Sequence, residues 1–409
     1  MKYNNLTKIT LGVFIGLQIP TFAGPAAEAA PASNCGDWCS MLKSKPKLYK
    51  NKENPYIQEI GIEGRLQWQT ASTDVDDVNG AEFSETFTEF RRARLGTKIK
   101  FLNYFTAKYQ VNMVDDDRPS NGDIEWDYQD IDEAYLEFNL GKAINCSYFD
   151  SLSLGYGRYK YTLGYESTTS SKKLLTPERS SLGNKVYGSA RPTGLKLEAE
   201  KGDWEFAAAI YSTSADGDEH ETFGSWQDGE NIWFHAAYSP DGPWSYGFDL
   251  SYNNADIGDD NEAAPHKWAT SINAAYDSDH WGIIGDLIIG ENLDNSTAAR
   301  EGTFYGAMVM PYCWVMEDKL QWVGQIQYMA SSEDEGVRIN SRYGRRTESY
   351  GADVNSGRGD SHLSLYTGLN YYLCDHNAKI QAGVEYQDLD TPNGNVDTLT
   401  YILAVRTYF

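Results

Sequence analysis

The chain has 409 residues, a formal net charge of −24 and an aromatic, glycine-rich composition with 29 Tyr, 11 Trp and 37 Gly. So acidic a chain argues against nucleic-acid binding, where phosphate repels negative surface. Beyond the amino-terminal leader no run of 18 apolar residues occurs, which excludes a helical membrane span.

Residues 1–29 read as a secretory signal peptide. Lys2 and Lys8 flank an apolar stretch over 9–22, small residues follow at Ala23 and across 27–30, and cleavage is expected after Ala23 or Ala29. No cysteine sits at either junction to carry a lipid anchor. Residues 30–55 then form an amino-terminal periplasmic segment and residues 56–409 an outer-membrane β-barrel. In NCGDWC, Cys35 and Cys39 lie close enough for a small disulfide loop, and their three-residue spacing is not that of a thioredoxin motif. The run KSKPKLYKNK (43–52) carries five lysines, readable as the lining of a periplasmic vestibule or as a solvated leader.

From residue 62 onward, segments of about ten residues alternate apolar and polar positions, the pattern of strands with one face in lipid. They are 62–69, 90–101, 106–113, 132–140, 151–158, 194–200, 203–211, 231–239, 244–252, 267–276, 281–289, 303–310, 320–329, 362–372, 379–387 and the terminal LTYILAVRTYF. The number is sixteen, even as single-chain bacterial barrels require. The last strand places Leu399, Tyr401, Leu403, Val405, Thr407 and Phe409 on one face and ends on an aromatic residue, which resembles a bacterial outer-membrane assembly signal.

Tight turns at 102–103, 201–202, 239–243 and 277–279 alternate with long loops at 70–85, 114–130, 213–229, 254–264, 290–300 and 331–358. Short turns on one rim and long loops on the other distinguish a periplasmic from an extracellular side. The acids crowd the loops: 115–133 holds nine against one arginine, and 216–230 holds six with no Lys or Arg. These stretches read as solvated surface, as cation-bridging to an anionic leaflet or as cation enrichment at the pore mouth, and the Asp spacing of the second lacks a calcium loop's glycine and closing glutamate.

FRRARLGTKIKF (90–101) runs against this acidity. Alternation puts Arg92, Arg94, Lys98 and Lys100 on one face, and a cation facing lipid at mid-membrane costs about 2–4 kcal/mol, so that face must look inward. Arg91 has the lipid-side parity and is tolerable only near the rim or at a bulge. Neighbouring strands send Glu63, Arg65, Gln67, Lys108, Gln110, Glu133, Tyr135 and Glu137 inward, which requires a wet lumen. Glu59, Glu198 and Asp286 are also assigned to it. Lys98, Lys100 and Lys108 are candidate pore-lining residues. The third long loop, 158–191, carries Arg158, Lys160, Lys172, Lys173, Arg179, Lys185 and Arg191 against Glu166 and Glu178 alone. Rich in hydroxyls as well, it would form a positive constriction if folded into the lumen.

Cys146, Cys313 and Cys374 fall in expected periplasmic turns. Cys313 and Cys374, in successive turns, form the second candidate disulfide and leave Cys146 odd. No GxSxG elbow occurs, and six scattered His offer neither a hydrolytic constellation nor a metal site, so neither enzyme nor cofactor is expected.

The segments EGRLQ, FRRARLGTKIKF, DIDEAYLEF and LGYGRYKYTLGYESTTSSKKLLTPERSSL resemble, in order and spacing, the phosphate-selective porin family (porins O and P). The resemblance implies a homotrimer of 16-stranded channels whose inward-folded third loop holds anions in a constriction. It implies that Arg65, Arg91, Arg92 and Ser170 sit where the family coordinates anion, with Asp132 near them, although alternation gives the lumen to Glu133. Ser167 stands where phosphate-binding members carry a lysine, and Arg94 replaces a tyrosine.

The expected architecture is therefore an all-β, 16-stranded antiparallel transmembrane barrel with an inward-folded third extracellular loop. The expected function is passive diffusion of anions such as phosphate, with Arg65, Arg91, Arg92, Arg94, Asp132, Arg158, Lys160, Ser170 and Lys172 at the constriction. A weakly selective porin for small polar solutes is the alternative, and a structural or adhesive barrel a third reading.

Overall fold

The computed structural model describes residues 38–44, 46–114, 126–187, 191–213, 226, 229–254, 264, 266–294, 297–339 and 342–409. The expected signal peptide, Cys35 and most of the acid-rich stretches 115–133 and 216–230 lie outside them.

Sixteen strands form the wall: β1 (Ile57–Asp76), β2 (Glu82–Phe101), β3 (Phe105–Val114), β4 (Trp126–Phe138), β5 (Ser151–Arg158), β6 (Thr193–Lys201), β7 (Trp204–Ser212) and β8 (Glu230–Tyr238). They continue with β9 (Trp244–Asn253), β10 (His266–Asp277), β11 (Trp281–Asn292), β12 (Thr303–Met316), β13 (Leu320–Ser331), β14 (Ser361–Cys374), β15 (Ala378–Thr391) and β16 (Gly394–Tyr408). Each pairs antiparallel with the next, and β16 pairs with β1, so the sheet closes and leaves no barrel edge.

The alternation follows from the two solvents the sheet separates. Leu403 and Val405 on β16, Ile272 on β10 and Leu287 on β11 are exposed outward, while Arg406 and Gln67, between such positions, are buried inward. Near the short turns, Trp204 meets Tyr238, and Trp244 and Trp281 meet Tyr276, with ring centroids 4.5–5.1 Å apart. Transmembrane barrels place aromatic girdles of this kind at the membrane interface. The β2–β3 turn is tight because Leu102 and Asn103 both adopt positive φ, 51° and 62°. Phe409 closes the chain by exchanging backbone hydrogen bonds with Gly64, whose missing side chain makes room for the phenyl ring.

Two expectations are corrected. The polar stretch 70–85 is not a long loop, because β1 and β2 extend through it to a turn at 77–81. There Ala71, Val75 and Phe87 point inward, with Phe87 stacked on Tyr343 of the loop 332–360, while Ser72, Asp74 and Asp76 face water. Cysteine pairing is the second correction. Cys39 is bonded to Cys374, so neither Cys35–Cys39 nor Cys313–Cys374 forms, and Cys146 and Cys313 are free thiols. The amino-terminal helix Trp38–Lys43 lies against the β14–β15 turn, with Lys43 paired to Asp375 at 2.7 Å and Asn377 donating to the Leu42 carbonyl. A short strand, Lys47–Lys50, then adds to β1, with Lys47 paired to Glu59 at 3.4 Å. The described part of the lysine-rich segment is therefore fixed along the rim that carries the short turns.

Candidate functional site

The loop between β5 and β6 runs through the barrel and is held to the wall on opposite sides. Its first limb seats Tyr159, Tyr161, Leu163 and Tyr165 in an apolar cluster with Tyr211, Trp233, Ile284, Ile288 and Met308. Backbone N–H groups of Gly164 and Tyr165 donate to Asp249 (3.0 Å) and Asp286 (2.7 Å). Across the lumen, the stretch 171–177 offers its carbonyls: Ser171 to Gln67 at 2.9 Å, Leu175 to Asn370 at 2.9 Å, and Pro177 to Arg406 at 2.9 Å. Lys379 donates to the Leu174 carbonyl. Lys379, Arg406, Gln67 and Arg92 are successive register partners on β15, β16, β1 and β2, all buried. Part of the basic wall thus serves as a bed for the loop, whose unpaired carbonyls need donors once removed from water.

Two β-bulges set the charged side chains around this bed. On β2, Gln67 pairs with Arg92 and Trp68 with Phe90, so Arg91 is an extra residue. On β4, Gln110 pairs with Glu133 and Val111 with Ile131, so Asp132 is extra. A bulge sends two consecutive side chains to one face. Arg91 reaches Glu178 of the loop at 2.8 Å, and Asp132 and Glu133 both enter the lumen, which removes the conflict between alternation and resemblance.

Asp132 accepts from Arg94 (2.7 Å) and pairs with Arg191 (2.8 Å) of the loop's returning limb. Arg158 supports the bulge by donating to the Ile131 carbonyl at 2.8 Å. Arg65, the register partner of Arg94, donates to the Ser171 hydroxyl. The Nε atoms of both Arg65 and Arg94 are buried without an acceptor. One step toward the short turns, Lys108 pairs with Glu63 (3.1 Å) and Glu133 (2.6 Å), and Lys172 of the loop lies 3.7 Å from Glu63 and 4.9 Å from the Tyr408 ring centroid. These side chains keep some contact with water, 13% for Arg94 and 15% for Lys108 and Lys172. Lys98 and Lys100 continue the inward face of β2 toward the short turns, part-buried and opposite Lys108 and Glu59 in register.

Not every expected site residue meets this water-accessible group. Arg92 is 5% exposed and donates to Gln67, and Lys160 donates to loop carbonyls, Ser167 among them. Ser170 accepts from the Lys172 N–H, whereas its neighbour Ser171 touches Arg65. Three residues outside the expectation belong to the arrangement, beside Gln67, which alternation already placed in the lumen. Arg406 lies at inward parity and was findable by alternation, whereas Arg342 and Tyr343, which hold Glu89 at 2.9 and 2.6 Å, come from an irregular loop with no periodic signal.

Among loop groups, burial drives the Glu166 carboxyl up, despite hydrogen bonds from Ser180 and Gln325. Burial alone would raise Glu178 too, but Arg91, Arg342, Arg92 and Arg406 overturn that and hold it well below the usual carboxylate range. Among the described residues no cluster of three metal-ligating side chains occurs.

The family model for phosphate-selective porins O and P matches residues 60–254, the portion on which the sequence resemblance rests. An anion-selective porin from Comamonas acidovorans superposes with a TM-score of 0.55 at 11% identity, covering 86% of this chain and 99% of that one. The outer-membrane channel DcaP of Acinetobacter baumannii superposes with a TM-score of 0.53 at 14% identity, over 88% and 100%. For OmpF of Salmonella typhi, solved with daunomycin, the values are 0.52 and 15%, over 89% and 100%. At these identities the likeness is one of fold: a closed 16-stranded porin-type barrel. No curated protein sequence matches the chain.

Proposed function

We propose that this chain is an outer-membrane diffusion channel that passes small anions, phosphate among them, through a constriction between β1–β4 and the β5–β6 loop. The observation that carries the reading is the Arg65–Arg94 pair. Two guanidiniums stand side by side across adjacent strands, where like charges repel, and the Nε of each is buried without an acceptor. An anion between them would relieve the repulsion and supply the missing acceptor, a geometry well suited to phosphate oxygens. Lys108 and Lys172 lie next on the path, partly screened by Glu63 and Glu133, so the anion is never left in a purely positive trap. That balance suits conduction, which needs binding strong enough for entry and weak enough for exit.

The family resemblance and the porin-type fold favour a channel over an enzyme. The outward belt of aliphatic side chains and its aromatic girdle support contact with outer-membrane lipid, and assembly as a homotrimer follows from the resemblance. A weakly selective porin is the second reading, favoured by Glu63 and Glu133 lying as close to the path as the lysines they pair. Single-channel current through purified protein, with phosphate added as a blocker of chloride current, separates the two. Dose-dependent reduction by phosphate supports the anion channel, and current indifferent to it supports the weakly selective porin.

A further inference from the structure

Between Arg158 and Arg191 the inward loop carries only two acids. Glu166 is absorbed by the loop's own fold, accepting from the Ser180 N–H at 3.0 Å and from Gln325 at 3.0 Å. Glu178 instead points at the wall. Its carboxylate accepts from Arg91 Nε at 2.8 and 3.2 Å and from Gln69 Nε2 at 2.8 Å. Immediately before it, the Pro177 carbonyl accepts from Arg406.

The surroundings are strongly cationic. Arg91, Arg92, Arg342 and Arg406 converge here, and the neighbouring acids are Glu89, held by Arg342 and Tyr343, and Glu385, which accepts from Ser364. Arg92 and Arg406 are 5% and 3% exposed, neither forms an ion pair with a described residue, and Nη1 of Arg406 has no hydrogen-bond partner. Glu178 therefore sits where an incoming anion would otherwise find a cluster of four arginines, extracellular to the Arg65–Arg94 pair.

We propose that Glu178 is a built-in counter-anion that sets the channel's anion affinity, a role that rests on the anion-channel reading. By neutralising Arg91 and screening Arg92 and Arg406, it keeps the outer cluster from capturing a multivalent anion, so solute binds transiently at Arg65 and Arg94. Charge screening at a few ångströms in a partly dehydrated site is large enough to alter affinity by an order of magnitude or more.

The test uses full-length protein in planar bilayers, with Glu178→Gln, Glu178→Asp and Arg91→Gln compared with wild type, and folding checked by heat-modifiable gel mobility. In asymmetric KCl, Glu178→Gln is expected to move the zero-current potential further toward the chloride limit and to lower the half-blocking phosphate concentration about tenfold. Glu178→Asp, which keeps the charge, should behave as wild type, and Arg91→Gln should shift both readings the opposite way. The proposal is overturned if Glu178→Gln changes neither reading, or if Asp and Gln at 178 act alike, which would make Glu178 a matter of loop shape. Should Glu178→Gln fail to fold, an Arg91→Gln channel with unchanged selectivity overturns it equally. A cation-preferring wild type would sink the anion-channel reading alone, since the shift at 178 is measured relative to that wild type. A chain that forms no channel ends both.

Discussion

Arg94 Nη1 donates to Asp132 Oδ2 at 2.7 Å, through a residue that simple strand alternation points at lipid. The pairing exists because Asp132 is the extra residue of a bulge, braced by Arg158 at the Ile131 carbonyl and shared with Arg191. Asp132 is 3% exposed, so its charge is compensated by protein and not by water.

Replacing Asp132 with Ala removes the buried carboxylate that Arg94 and Arg191 share. Breaking a buried pair from one side costs about 3–5 kcal/mol. Urea unfolding in detergent micelles should show a loss near that size, whereas Asp127→Ala, at an exposed position on the same strand, should change stability by less than about 0.5 kcal/mol.

Arg65→Gln removes one guanidinium of the cross-strand pair without removing a carboxylate partner. The expected result is a folded channel in which the phosphate concentration that halves chloride current rises about tenfold, the cost of losing one charge-assisted contact. Lys50→Gln, on the exposed leading strand, should leave the blocking concentration unchanged.

The amino-terminal segment is covalently tied to the β14–β15 turn. Non-reducing peptide mapping should yield a single cross-linked species containing Cys39 and Cys374, with Cys146 and Cys313 alkylated. Cys313→Ser should leave that species intact, and Cys374→Ser should abolish it.

Lys185, on the loop helix Ser181–Tyr187, is pushed down to about 7 by burial, with Arg358 and Arg338 adding repulsion. It donates to Asn292 and lies 4.7 Å from the Phe304 ring centroid. Its folded pKa is depressed below the ordinary value of 10.5, so from about pH 7 to 10.5 the unfolded chain holds the proton that the folded chain has released. Stability should therefore rise with pH across that window, by at most about 1.4 kcal/mol per pH unit, and be lost as pH falls through 7. Lys185→Met should flatten this rise.

The wall was legible in the sequence because lipid and water impose opposite demands on alternate residues, as Leu403, Val405 and Arg406 illustrate. The same rule misled at 70–85, where the hairpin rises beyond the membrane. There water lies outside, so Ser72, Asp74 and Asp76 face out while Ala71 and Phe87 pack inward on Tyr343 and Ile402. Alternation also fails by one residue at Arg91 and Asp132: a charge at lipid-side parity already pointed to a rim or bulge position for Arg91, whereas nothing in composition marked the bulge at Asp132. The cysteine pairing was out of reach because Cys39 and Cys374 are 335 residues apart and meet only through the fold of the rim. Ser171 in place of Ser170 reflects the same limit, since the loop has no repeat to say which hydroxyl faces Arg65.

The zero-current potential of the wild-type channel in a planar bilayer under asymmetric KCl bears most directly on the central claim. Anion conduction past Arg65 and Arg94 predicts a potential displaced toward the chloride equilibrium value, and a chloride current that millimolar phosphate reduces. A potential displaced toward the potassium value, with a current that phosphate leaves untouched, would contradict it.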